Sequence, residues 1–142
     1  MGKNWVQDIN NMHAKFGVHD WVDECYANLT PENKEKLQMF LEFRMNFLEE
    51  ELNETRDAVL TKDPEEVIDG LIDLCVVAIG TLDAFGVDAY KAWDQVHKAN
   101  MSKEPGVKES RPNPLGLPDL IKPEGWEGPN HEDNHAYLTD II

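Results

Sequence analysis

Residues 64–85 read PEEVIDGLIDLCVVAIGTLDAF, a stretch of helical length opened by Asp63-Pro64 and closed by Gly86. From Gly70 to Ala78 almost everything is apolar on all sides, the pattern of a central helix enclosed by others. Yet Glu66, Asp69 and Asp73 line one stripe, and no Lys or Arg occurs between Pro64 and Tyr90. A carboxylate taken out of water without a partner is costly, or it takes up a proton instead. A chain built around this helix must bury it and also bring a cation to its acidic stripe. Cys75, in the most apolar part, is expected to be a small buried hydrophobe, and Cys25 lies at no metal-type spacing from it.

The flanking segments supply the other helices. In NWVQDINNMHAKF, residues 4–16, Trp5, Val6, Ile9, Met12 and Phe16 recur at helical spacing and Gly17 is a natural stop. HDWVDECYANL fits either a loop or a short helix. Thr30 as N-cap, Pro31 at the first position and Glu32 in the first turn start a long helix expected to reach about Leu60. Its Leu37, Phe40, Leu41, Phe47, Leu48, Leu52 and Val59 fall mostly within one arc. Asp88 is placed to cap a further amphipathic helix through about Met101. Beyond Lys103 come most of the prolines, and that stretch is expected to be extended or looped, without strand alternation. The expected fold is all-α: a four-helix-type bundle over 1–103 with an extended Pro-rich C-terminal arm over 104–142, packed on the same domain or on a neighbouring subunit.

A formal net charge of −15 over 142 residues disfavours nucleic-acid polymers and anionic membranes as partners. It leaves room for a small anionic substrate whose site is first neutralised by cations. No apolar signal region opens the sequence, and the run from Leu71 to Ile79 is too short to span a bilayer, so a cytoplasmic location is expected.

The long helix adds acids of its own in FLEEELNET, residues 47–55. Projected at about 100° per residue, Glu51 falls inside the apolar arc centred on Leu48 and Glu54 at its edge. Glu50 is borderline, and Glu49 points to solvent. Glu51 and Glu54, three apart, thus place two carboxylates on the face turned to the bundle. Mg²⁺ suits such a set, because it takes oxygen ligands and keeps sites for water and substrate phosphates. The plainer alternative for Asp73 is an ion pair with Arg44 or Arg56, and for Glu49 and Glu65 a solvated helix face.

In this order the motifs resemble a known family. EELNE at 50–54 is similar to the EExxE motif of the MazG-like all-α nucleoside triphosphate pyrophosphohydrolases. DGLIDLCVVAIGTLDAFGVDAYKAWDQVHKANMSK resembles that family's second metal motif, its next helix and its terminal Asn/Lys motif. MHAKFG at 12–17 and KPEGW at 122–126 look like the short single-domain versions found in bacteriophages. The resemblance implies cleavage between the α and β phosphates of a nucleoside triphosphate, giving a monophosphate and pyrophosphate, with Mg²⁺ as cofactor and Mn²⁺ able to substitute. It implies Glu51, Glu54 and Asp73 as metal ligands, with Glu50 or Glu51 helping to activate water. At the first position of the family's ExxD stands Gly70, so the fourth ligand falls to Asp69 or Glu66. Asn100 and Lys103 become substrate contacts, with Lys98 either a further one or a surface lysine. Lys122 and Trp126 could close over phosphate and base, or Trp126 could anchor the arm to a neighbour. His13 and Lys15 are expected on a helix surface. The resemblance also implies a homo-oligomer, a tetramer more than a dimer. Two other classes remain: a non-catalytic nucleotide-binding or interaction module, kept open by Gly70, and a di-iron carboxylate bundle, for which Asp94-x-x-His97 is the only trace.

Overall fold

The computed structural model describes residues 2–111, 114–115 and 119–142. It is mostly helical: α1 (Trp5–Lys15), α2 (Val18–Ala27), α3 (Pro31–Leu60), α4 (Pro64–Ala84), α5 (Ala89–Met101) and a short α6 (Leu138–Ile141). No single helix among the described residues is long and apolar enough to cross a membrane.

Capping chemistry sets the boundaries. Asn4 accepts from the Gln7 amide, Thr30 from the Asn33 amide and Asp63 from the Glu66 amide, each satisfying one orphan donor of its helix. Gly17, at φ +80, turns the chain directly from α1 into α2, so the stretch left open between loop and helix is helical.

The chain forms two compact units, Met1–Ala89 with His135–Ile142, and Tyr90–Asn134. In the first, Val22 and Cys25 of α2, Leu37 of α3, Ala84 and Phe85 at the end of α4, and Ile141 of α6 make a closed apolar cluster. Leu37, Phe85, Ile141 and Val22 are fully enclosed, each worth about 1.5–3 kcal/mol of burial. Tyr137 and α6 strap across it: the Phe85 carbonyl accepts from the Tyr137 amide, and Tyr137 stacks on Tyr26.

Two expectations about the core need correction, on α3 and at Cys75. Helix α4 is not fully covered by its own chain, since Ile68, Leu71 and Ile72 stand 63%, 51% and 44% exposed. What it buries is a stripe of small residues, Gly70, Val77, Gly80, Thr81 and Ala84. On α3 the facing positions are correspondingly Thr55 and Ala58, while Leu52 and Val59 are exposed. Cys75 is only half-buried, in a groove with Trp5, Ile9, Ile72 and Ile79, whereas Cys25 is buried. Small residues win the seam because they let two helix backbones approach closely, and the large apolar side chains are left facing outward.

The second unit joins α5 to the arm. The arm is not wholly irregular: β1 (Glu104–Gly106) and β2 (Asp119–Ile121) pair antiparallel, Glu104 opposite Ile121. Arg111 grips Asp119 through Nη2, which donates to both carboxylate oxygens at 2.7 and 2.9 Å, and through Nε at 3.1 Å. The rest of the expected extended stretch falls partly on residues 112–113 and 116–118, outside the described residues.

Candidate active site

Helices α3 and α4 are in tight contact at Gly70. A Cβ there would collide with Thr55 Oγ1 and lie 3.2 Å from Thr55 Cβ. Thr55 is itself fixed, its hydroxyl donating to the Glu51 carbonyl at 2.7 Å. The departure from ExxD at position 70 therefore has a packing cause: no glutamate side chain fits at this contact as it stands.

Around that contact sit the acids. Glu51 on α3 and Asp73 on α4 are half-buried, while Glu50, Glu54, Glu66 and Asp69 are exposed. The Glu51 carboxyl is pushed above the usual carboxylate range, first by burial and then by Asp73, Glu54, Glu50 and Asp69. Four of the other acids singled out from the sequence thus act on Glu51.

Among the described residues no arginine forms an ion pair with these acids. Arg44 is half-buried and turned to α4's backbone side, donating to Thr81 Oγ1 at 3.1 Å and to the Val77 carbonyl at 3.2 Å. Among the described residues Asp73 has no ion pair with Arg44, Arg56 or any other cation. The ion-pair alternative for Asp73 is not what forms. Mutually repelling carboxylates with no basic partner fit a divalent cation as the missing charge. The acids do not supply three ligand atoms within 4.8 Å of one another, a convergence found among the described residues only at His13, His19 and Asp83. Oxygens of water and substrate would have to complete the coordination, as Mg²⁺ commonly allows.

The candidate substrate contacts all lie in the second unit. Trp126 donates its indole N–H to the Ala99 carbonyl at 2.9 Å, pinning the arm to α5 of its own chain. Lys103 and Lys122 place their ammonium groups 5.3 and 5.0 Å from the centre of the same ring. Beside them a cavity of about 470 Å³ is lined by Gln95, Lys98, Ala99, Ser102, Trp126 and Asn130. Asn100 is exposed. Asp94 and His97 form no group of three metal ligands among the described residues, and His97 stacks instead on Trp93.

One cluster was not legible in the sequence. His13, expected on a helix surface, is 3% exposed. Its Nδ1 lies 2.9 Å from Asp83 Oδ2, and His19 Nε2 approaches the same oxygen at 2.6 Å. Asn10 donates to the other oxygen at 2.8 Å. Burial alone would raise the Asp83 carboxyl, but bonds from Asn10, His19 and His13 outweigh it and hold the carboxyl below its ordinary value. Burial also pushes the His13 imidazole below its usual value, against the pull of Asp83. The partners lie some seventy positions apart in sequence, and nothing in MHAKFG points to Asp83. Lys15 is exposed, as expected.

The sequence profile of the phosphoribosyl-ATP pyrophosphohydrolase family matches residues 21–100, more than half of the chain. That family shares its all-α superfamily with the MazG-like enzymes. The matched span contains every acid discussed on α3 and α4 as well as Asn100, and it leaves out His13, Lys103, Lys122 and Trp126. No curated protein matches the chain.

Proposed function

Because the chain belongs to the phosphoribosyl-ATP pyrophosphohydrolase family, hydrolases that cut phosphoanhydrides of nucleotide-like substrates, we propose that it hydrolyses a nucleoside triphosphate between the α and β phosphates. The products are a nucleoside monophosphate and pyrophosphate, and the reaction depends on Mg²⁺, for which Mn²⁺ substitutes. The observation that carries the reading is the set of acids at the α3–α4 seam, which together with burial raise the Glu51 carboxyl and have no basic partner among the described residues. EELNE, NMSK and KPEGW, in MazG-like order, favour a nucleoside triphosphate over phosphoribosyl-ATP.

Glu51, Glu54 and Asp73 hold the cation, with Asp69 or Glu66 as the fourth ligand; Asp69 is among the groups that raise the Glu51 carboxyl. Mg²⁺ bound there supplies charge neutralisation for the triphosphate and a more acidic water. Glu50 or Glu51 takes the proton from that water, Glu51 half-buried and Glu50 exposed. The water oxygen bonds to the α phosphorus, the bond to the α–β bridging oxygen breaks, and pyrophosphate leaves with the electron pair. Asn100, Lys98, Lys103 and Lys122 are the proposed phosphate contacts and Trp126 the proposed base contact. The acidic seam and the exposed Ile68, Leu71 and Ile72 on the same helix also support a homo-oligomer, a tetramer before a dimer, which covers these side chains. Nucleotide-pool control or sanitation is the corresponding role.

A panel of ribo- and deoxyribonucleoside triphosphates and phosphoribosyl-ATP, each incubated with protein and Mg²⁺, tests this by the products formed. Monophosphate with equimolar pyrophosphate is expected from at least one nucleoside triphosphate. Turnover of phosphoribosyl-ATP alone would move the substrate, and silence across the panel would make the protein a binding module. Gly70, the feature that left a module open, also has a packing reason at its contact with Thr55.

A further inference from the structure

We propose that His13 Nδ1, His19 Nε2 and Asp83 Oδ2 form a second metal site, for a late first-row divalent cation of the Zn²⁺ type, distinct from the carboxylates between α3 and α4. The three ligands come from α1, α2 and α4, and their atoms lie within 4.8 Å of one another. Both imidazoles aim a ring nitrogen at a single carboxylate oxygen, with ring planes 85° apart and centroids at 5.8 Å, so the two nitrogens approach one point from different directions without stacking. Asn10 holds the other carboxylate oxygen, the outer-shell bond that orients a ligating carboxylate. Two nitrogens and one oxygen select Zn²⁺, Co²⁺ or Ni²⁺ over Mg²⁺, and three protein ligands leave a fourth tetrahedral position for water.

The geometry is close to what such an ion needs. With bonds of about 2.0–2.1 Å in a tetrahedral site, neighbouring ligand atoms stand roughly 3.3 Å apart. The present separations of 2.9 and 2.6 Å are those of hydrogen bonds to Asp83, so the rings must retreat by about half an ångström each on binding. His19, at the first turn of α2 and with 24% of its side chain exposed, gives both the entry and the freedom to move. Each neutral ring ligates through the nitrogen that now donates, its proton passing to the other ring nitrogen; a protonated ring releases one proton.

The test uses the full chain, stripped by a chelator and then titrated with CoCl₂ in the presence of excess MgCl₂. The expected result is one Co²⁺ per chain with the intense visible band of a tetrahedral site, displaced by ZnCl₂ and not by Mg²⁺. His19→Ala should lose the band. Asn10→Ala, which keeps all three ligands, should weaken Co²⁺ binding by roughly 10–100-fold. Circular dichroism of each variant confirms that it is folded, and if His19→Ala unfolds, Asn10→Ala decides. A wild-type protein without the band, binding spread over several weak surface sites such as His97, His131 and His135, or unchanged affinity in the folded variants would overturn the proposal.

Discussion

Replacing Gly70 with alanine puts a methyl group where α3 and α4 are in contact. The new carbon would overlap Thr55 Oγ1 and lie 3.2 Å from Thr55 Cβ. Thr55 must then leave its rotamer and give up the bond to the Glu51 carbonyl, a loss of about 1 kcal/mol. Overpacking at a tight contact costs about 1–3 kcal/mol more. Alanine returns about 1 kcal/mol through its higher helix propensity. The net is a destabilisation of about 2 kcal/mol, which at this chain length lowers Tm by roughly 4–8 °C. Urea or thermal unfolding followed by circular dichroism measures it. The decisive comparison is the same substitution in a Thr55→Ala background, where the overlapping oxygen is gone. There Gly70→Ala should fall within about 1 kcal/mol of zero, giving a coupling energy of about 2 kcal/mol between the two positions. Equal losses in both backgrounds would refute the contact as the reason for glycine.

Other consequences are as direct. Glu54→Gln should keep the fold and lose Mg²⁺-dependent turnover, and unchanged turnover would remove Glu54 from the ligand set. Glu51→Gln removes the carboxylate most raised by its neighbours, so it should raise Tm in a chelator and cancel the gain that wild type shows on adding Mg²⁺; a Tm below wild type in chelator would contradict this. Light scattering should show an oligomer, and a monomer would leave Ile68, Leu71 and Ile72 unexplained. The Tyr26 hydroxyl donates to Asp140 and the Tyr137 hydroxyl to Asp23, bonds that raise both phenols above their ordinary value. A raised phenol stabilises the folded chain below its unfolded pKa of about 10, and that stability disappears as pH rises through the folded value. Stability should therefore fall at alkaline pH more steeply in wild type than in Tyr137→Phe, which urea titrations across that range will show.

Much of the fold was legible because its punctuation is strong. Thr30-Pro31 and Asp63-Pro64 start α3 and α4 where the capping rules put them, and both caps form. The all-α reading held for the same reason. The apolar arc on α3 was a poorer guide, because a helical wheel weights Leu52 and Val59 by size whereas the seam with α4 selects Thr55 and Ala58 by fit. Sequence periodicity marks which side chains avoid water, and not whether their own chain covers them. For the acids, the lack of a nearby cation was readable in the run from Pro64 to Tyr90, and Glu51 reports the repulsion that follows. His13 was not readable, since a single histidine on a mostly polar helix gives no sign of a carboxylate two helices away. Trp126 stood out as an anchor or a base platform, but its bond to the Ala99 carbonyl depends on how the arm folds back on α5.

Counting bound Mn²⁺ by electron paramagnetic resonance, with and without a non-hydrolysable nucleoside triphosphate, tests most directly whether the acids between α3 and α4 hold a cation for the substrate. Wild type should bind Mn²⁺, and bind it more tightly with the analogue, while Asp73→Asn and Glu51→Gln lose both effects yet stay folded. Mn²⁺ binding that is the same in the variants, or indifferent to the analogue, would contradict the account.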